Sequence, residues 1–234
     1  MKPVAVWFSG AFWLDVDTPA DLVRAEQLLL SRLGKAEDGP VSRHLNRPLS
    51  RRISRRLVAT RLSPLVMSAL AFLLAAVAGL LFAFSVAWWL IALSGTLVQV
   101  ASVLDGVDGE IARLRFEESP RGAWLDAVLD RYADGIVLGG MAWGSATANA
   151  LAWPVGLAAL VGALAVSYSA ARYEATFRTP APWSRRAIPA KRDARSFIIF
   201  LGGLLNAVLP ALVVVAVASH AEVVRRLLLA GQRP

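Results

Sequence analysis

Three long stretches of this chain contain no Asp, Glu, Lys or Arg: residues 62–104 (43 residues), 135–171 (37 residues) and 196–221 (26 residues). A helix needs about 20 apolar residues to cross the hydrocarbon core of a bilayer. Each of the first two stretches therefore holds two spans, with breaks expected at residues 82–85 and 147–154. The third fits one long span or parts of two. Composition agrees: the chain is 56% hydrophobic and 18% charged, against about 25% charged for an ordinary soluble domain. It also carries 25 Lys+Arg against 17 Asp+Glu, a net charge of +8. High hydropathy and a basic excess coexist only if they are segregated along the chain. Intrinsic disorder and a soluble β-sandwich are excluded. The absence of cysteine removes a disulfide scaffold, a thiolate metal site and a Cys nucleophile. The two histidines, His44 and His220, lie too far apart in sequence to favour a His-rich metal site.

The basic residues decide the number of spans. Arg51, Arg52, Arg55, Arg56 and Arg61 precede the first span, and Arg113, Arg115, Arg121 and Arg131 follow the second. Arg172, Arg178, Arg185, Arg186, Lys191, Arg192 and Arg195 follow the fourth, and Arg225, Arg226 and Arg233 lie near the end. All fall on one side if the number of spans is even, and cytoplasmic loops are the basic ones. Six spans are expected, with both termini cytoplasmic, in the cell inner membrane. The last two helices then share residues 188–229 with a turn at 206–210. The fifth starts at or before Lys191, which puts Lys191, Arg192 and Arg195 in its first turns. Such residues should face a polar cavity, the alternative being snorkelling at the interface.

The expected fold is an all-α integral membrane protein, six transmembrane helices preceded by a cytoplasmic amphipathic surface helix. Residues 1–40 form a short cytoplasmic segment, 41–61 the interfacial helix and 62–234 the membrane catalytic domain. Residues 1–12 are too short and too polar-flanked for a secretory signal. Thr18-Pro19-Ala20-Asp21 reads as a helix start, with Thr at N-cap and Pro at N1. Leu22, Ala25, Leu29 and Leu33 mark one face, and Gly34 the C-cap. In the basic stretch that follows, Leu45, Leu49, Ile53 and Leu57 recur at i, i+4, which predicts a helix lying on the membrane surface rather than a solvated basic loop.

The chemistry lies in the acids between the second and third spans. Asp105 ends an apolar helix and Asp108 sits one turn on, while Asp126 and Asp130 share a face of the next helix at i, i+4. Four carboxylates therefore converge near the cytoplasmic surface. They are neutralised either by Arg113, Arg115, Arg121 and Arg131 or by divalent cations. All-oxygen ligation without Cys or His favours Mg2+ or Mn2+ over zinc, with Ca2+ as a bound, non-catalytic ion. Four carboxylates suit a two-metal site of the phosphoryl-transfer kind. Gly109, Ala112 and Gly122 would let a phosphate-bearing ligand approach the backbone, and Arg113 could take a phosphate in a bidentate contact.

These residues carry a resemblance. D-x2-D-G-x2-A-R-x8-G-x3-D-x3-D, filled here by Asp105, Asp108, Gly109, Ala112, Arg113, Gly122, Asp126 and Asp130, is the pattern of the CDP-alcohol phosphotransferase family. Residues 38–226 are similar to it. Ser42-Arg43, Asn46-Arg47, Ser50, Ser167-Tyr168, Arg172-Tyr173-Glu174 and Lys191-Arg192-Asp193-Ala194-Arg195 resemble the branch that handles inositol phosphates. Trp13-Leu14-Asp15-Val16-Asp17-Thr18-Pro19 resembles the tail of a sugar-phosphate nucleotidyltransferase. Leu65 departs from the pattern, since relatives commonly have Asn after the proline.

The resemblance implies transfer of a phosphoryl-alcohol group from a CDP-alcohol to an acceptor hydroxyl, with release of CMP. Asp105, Asp108, Asp126 and Asp130 would hold the metals, and Asp130 would also be the general base. Asp105, Asp108, Gly109, Ala112, Arg113 and Gly122 would bind the CDP moiety. Arg172, Lys191, Arg192 and Arg195 would hold the phosphate of a polyol acceptor. It further implies a homodimer, contact with membrane lipid, a separate cytidylyltransferase as donor supplier and no nucleic acid. Asp134 is expected to cap its helix or pair with Arg131. The nucleotidyltransferase-like tail favours CDP-inositol as the donor, and two other readings compete with it. One is a CDP-diacylglycerol-dependent phosphatidyltransferase, which would make a phospholipid. The other, of a different class, is a divalent-metal transporter, which would need carboxylates near the bilayer midplane. A catalytically dead anchor fits poorly with an intact motif.

Overall fold

The computed structural model describes residues 15–21, 24–25, 28, 38–60, 62–179, 181–183 and 190–230. Trp13, Leu14, Leu22, Leu29, Leu33, Gly34, Arg61, Arg185, Arg186, Ile188 and Arg233 of the sequence reading lie outside them. The chain divides into two units, Met1–Leu33 and Gly34–Pro234. In the first, the expected helix start is present. Asp21 N donates to Thr18 Oγ1 (3.2 Å), and Asp21 Oδ2 accepts from Thr18 N and Oγ1 (3.1 and 2.6 Å), the reciprocal pattern of a capping box.

The regular structure of the second unit is all helix, with no strand among its described residues. A π-helical turn, Ser42–Asn46, leads into α1 (Arg47–Leu57). Then come α2 (Pro64–Phe84), α3 (Trp88–Leu114), α4 (Pro120–Ala146), α5 (Ala152–Phe177), α6 (Arg192–Leu204) and α7 (Val208–Ala230). Local chemistry sets the ends. Ser63 and Ser119 cap α2 and α4 by accepting from Val66 N and Gly122 N, each followed by proline at N1. The breaks fall where the charge-free stretches predict them, after Phe84 and after Ala146. Asn206, in the left-handed region at φ 52°, makes the turn between α6 and α7.

The helices close a ring in the order α2, α3, α6, α7, α5, α4 and back to α2. Its core runs through Ala75, Ala78 and Phe82 of α2, Val98 of α3, Leu138 and Met141 of α4, Ala159 and Ala163 of α5, and Leu212 and Val215 of α7. Small residues let the backbones touch, as in helix pairs that pack within lipid. A Cβ on Gly140 of α4 would lie 2.0 Å from the carbonyl oxygen of Gly79 on α2, and one on Gly203 of α6 would lie 2.9 Å from the Cα of Gly95 on α3.

Among the described residues four helices, α2, α3, α5 and α7, are long and apolar enough to cross a membrane. The 27-residue α4 carries Asp126, Asp130, Arg131 and Asp134 in its first part and the charge-free 135–146 in its second. The 13-residue α6 is about 20 Å long at 1.5 Å per residue.

α1 docks with its polar side inward. Asn46, Arg47, Ser50 and Ser54 are buried, while Leu45 and Leu49 are exposed. Ile53 and Leu57 pack against Met67, Val107 and Ile111. The apolar stripe of the sequence therefore splits, half against the protein and half outward. Arg115 secures the chain between α1 and α2: its guanidinium donates to the carbonyls of Leu57 (3.0 Å), Val58 (3.2 Å), Thr60 (2.5 Å) and Leu62 (2.6 Å). It is a cap for orphan helix carbonyls, not a partner of the acidic cluster.

Candidate active site

The ends of α3 and α4 bring the motif together. Carboxylate oxygens of Asp105, Asp126 and Asp130 lie within 4.8 Å of one another. Asp108, 6% exposed, is not one of these three and is engaged elsewhere: Oδ2 accepts from Ser68 Oγ on α2 and Oδ1 from Gly109 N. Beside these acids lies a cavity of about 420 Å3. Its walls include Asp105, Asp108, Gly109, Ala112, Arg113, Gly122 and Asp126, seven of the eight motif positions; Asp130 is the exception. A Cβ at Gly109 would meet the movable tip of Arg113, Nη1 at 3.3 Å.

The cation on the cluster comes from α6. Arg192 Nη1 lies 2.7 Å from Asp105 Oδ1 and Nη2 lies 2.9 Å from Asp130 Oδ1. Asp130 Oδ2 also accepts from Arg131 Nη2 at 3.3 Å. Of the four nearby arginines proposed from sequence, Arg131 is thus a partner and Arg115 is not. Arg195, 3% exposed, donates to Asp134 Oδ2 (2.6 Å) and Ala190 O (3.0 Å), so Asp134 pairs with Arg195 rather than Arg131. Lys191 is the N-cap of α6. Arg172 is exposed on α5 and is not among the described residues that line the two cavities beside the cluster. A second cavity of about 170 Å3 borders the first; Arg47, Asp105 and Gly106 line both, and Ser42, Asn46, Ser102 and Arg192 line the second.

The wall between the two cavities is fixed by a network centred on Glu110, a residue the sequence reading gave no role. Glu110, fully buried, accepts from Arg47 Nη1 (2.9 Å), Ser50 Oγ (2.8 Å) and Ser54 Oγ (2.8 Å). Arg47 also grips Asp38 through Nε and Nη2, both at 2.9 Å. Burial pulls the Arg47 guanidinium down, but Asp38 and Glu110 outweigh it and hold it above its ordinary value. Asn46 joins α1 to α3 through Ser102 Oγ (3.1 Å) and Gln99 Nε2 (2.7 Å). The signal in sequence was Ser50 and Ser54 at i, i+4, a polar stripe beside the apolar one.

This helical ring with its acid-lined cavity belongs to a known class. The chain is a member of the CDP-alcohol phosphatidyltransferase family, whose sequence model matches residues 61–224. It is 49% identical over 227 residues to the bifunctional IPC transferase and DIPP synthase of Rubrobacter xylanophilus, covering 96% of this chain and 50% of that one. To the protein of the same name from Thermococcus kodakarensis it is 41% identical, covering 86% and 46%. The chain spans about half the length of these curated relatives. The fold is similar to that of Mycobacterium tuberculosis phosphatidylinositol phosphate synthase with CDP-DAG bound (TM-score 0.65, 26% identity, 77% of this chain and 92% of that one). It is equally similar to the same enzyme in complex with manganese and citrate (TM-score 0.65, 27% identity, 78% and 88%).

Proposed function

We propose that this chain transfers a phosphoryl-alcohol group from a CDP-alcohol to a hydroxyl of an inositol phosphate and releases CMP. The observation that carries the reading is the cavity of about 420 Å3 walled by seven motif residues beside three converging carboxylates. The oxygen-only donor set of Asp105, Asp126 and Asp130 fits a hard divalent cation, Mg2+ or Mn2+. Asp108 would join from the adjoining turn once freed from Ser68. Bound there, such cations supply charge neutralisation of the diphosphate and polarisation of the acceptor hydroxyl.

The protein's own groups do the rest. Gly109, Ala112 and Gly122 leave room for the diphosphate against the backbone, and Arg113 donates to it. The acceptor oxygen attacks the phosphorus that carries the donor's alcohol. The bond from that phosphorus to the CMP oxygen breaks, and CMP leaves with the electron pair. The acceptor's proton passes to Asp130. Lys191, Arg192 and Arg195 are the proposed acceptor-phosphate side; Arg172 joins them only if the exposed face of α5 turns toward the ligand. CDP-inositol is the preferred donor and CDP-diacylglycerol the alternative.

Six spans follow if α4 and α6 join the four apolar helices, with the site and both termini cytoplasmic. The exposed Leu45 and Leu49 beside exposed Arg52, Arg55 and Arg56 support α1 as an interfacial helix. On this reading residues 1–40, 41–61 and 62–234 are a cytoplasmic segment, the surface helix and the catalytic domain. A homodimer and a separate cytidylyltransferase complete the proposal. The test is metal-dependent CMP release by the purified chain, with CDP-inositol and CDP-diacylglycerol each paired with inositol 1-phosphate or glycerol 3-phosphate. No CMP from any pair refutes the activity; the productive pair identifies donor and acceptor.

A further inference from the structure

Arg192 holds the acidic cluster in a way that bears on how ligands bind. Its two terminal nitrogens bridge carboxylates from two different helices, Asp105 of α3 and Asp130 of α4. Those carboxylates belong to the group suited to a divalent cation, so a guanidinium and a metal ion would share oxygens and repel each other. The same side chain lines the cavity of about 170 Å3 on the other side of Asp105, and its buried Nε has no hydrogen-bond partner. In that cavity the two acids besides Asp105 are already engaged: Asp38 is gripped by Arg47, and Asp193 accepts from Ser42 N at 2.8 Å. A phosphate entering there meets Arg47 and Arg192 as its cations.

Resting on the proposed metal site, we infer that Arg192 is an internal counter-ion that competes with divalent metal for Asp105 and Asp130, and that a phosphate ester in the second cavity draws it away. Metal and phosphorylated acceptor then bind with positive cooperativity, each favouring the state in which Arg192 has left the carboxylates. The coupling is reciprocal by thermodynamic necessity. It also places the proposed base in context: Asp130, paired with Arg192 and Arg131, regains an open oxygen when the acceptor's phosphate is in place. The bridge further keeps Asp105 and Asp130 from repelling one another across the α3–α4 contact.

The experiment is Mn2+ titration of the full chain in detergent, read from the electron paramagnetic resonance of free Mn2+, with and without saturating inositol 1-phosphate. Wild type should bind Mn2+ at least about fivefold more tightly with inositol 1-phosphate, within the usual range of allosteric coupling. Arg192→Gln should bind Mn2+ about tenfold more tightly than wild type without it and lose the response to it. Arg192→Lys keeps the charge but loses the two-pronged bridge, and should fall between the two. An Mn2+ affinity in Arg192→Lys equal to wild type overturns the bridge, as does an unchanged affinity in Arg192→Gln or an equal response of both to inositol 1-phosphate. Because the wild-type response is itself a test, a poorly folding variant leaves the inference exposed. Asp105→Asn separates the two readings: if it binds Mn2+ as tightly as wild type, the metal site itself is wrong. If it loses Mn2+ while Arg192→Gln changes nothing, the coupling alone fails.

Discussion

Replacing Glu110 by Gln tests whether a polar lock, rather than apolar burial, fixes α1. Glu110 is fully buried and takes hydrogen bonds from Arg47, Ser50 and Ser54 at 2.8–2.9 Å. Breaking a buried ion pair by removing one charge costs about 3–5 kcal/mol. Arg47 keeps its bidentate grip on Asp38, so the lower end, about 3 kcal/mol, is expected. For a chain of this size that corresponds to about 6–12 °C in Tm, at about 2–4 °C per kcal/mol. Thermal unfolding in detergent, followed by the fluorescence of the eight tryptophans, measures it. Combining Glu110→Leu with Arg47→Met should recover part of the loss, because apolar replacement of a buried pair is often near neutral. Recovery stays partial, since Asp38 then loses its cation. A Glu110→Gln protein melting within about 2 °C of wild type refutes the lock.

The other expectations are shorter. Asp130→Asn should lower CMP release by at least about 100-fold, the scale of a general base; near-normal turnover removes Asp130 from that role. Gly140→Ala should sharply lower Tm and membrane yield, because its Cβ would lie 2.0 Å from the Gly79 carbonyl oxygen, whereas at Gly139 a Cβ meets nothing within 4 Å and Gly139→Ala should be silent. Equal behaviour of the two glycine variants refutes the close α2–α4 contact. Arg195→Ala should raise the KM for the phosphorylated acceptor with little change in that for the CDP-alcohol, and should lower Tm by leaving Asp134 without its 2.6 Å partner. An unchanged acceptor KM takes Arg195 out of the pocket.

The charge-free stretches made the helices legible, because charge is costly in lipid wherever it occurs. The breaks after Phe84 and Ala146 and the turn at Asn206 follow from that pattern. The motif was legible for a related reason: regularly spaced acids at an apolar helix end have few structural uses. What the pattern lacked was partnership across the fold. Asp130 has one arginine beside it in sequence, Arg131, yet its 2.9 Å partner is Arg192 on α6, which also takes Asp105. Arg115, read as a topology charge, caps four carbonyls. Proximity along the chain ranks ion pairs correctly only within one helix turn.

The treatment of α1 has a physical logic. On the proposed interfacial placement, α1 keeps an apolar face for lipid and so has fewer leucines to bury against the protein. Here Leu45 and Leu49 are exposed while Asn46, Arg47, Ser50 and Ser54 are buried. A polar interface is weak unless every member is satisfied, and the contact with α3 meets that demand by placing the full carboxylate of Glu110 where three donors converge. Such an interface is directional in a way apolar packing is not. Arg47 cannot rotate without losing Glu110 or Asp38, and Arg47 is a wall of both cavities. The lock therefore fixes one cation relative to Asp105 while Arg192, on the opposite helix, carries an unpaired Nε. One arginine is held by hydrogen bonds that a phosphate need not break, and the other by the same carboxylates a metal would claim. That asymmetry makes Arg192 the mobile partner in the proposed site and Arg47 the fixed one.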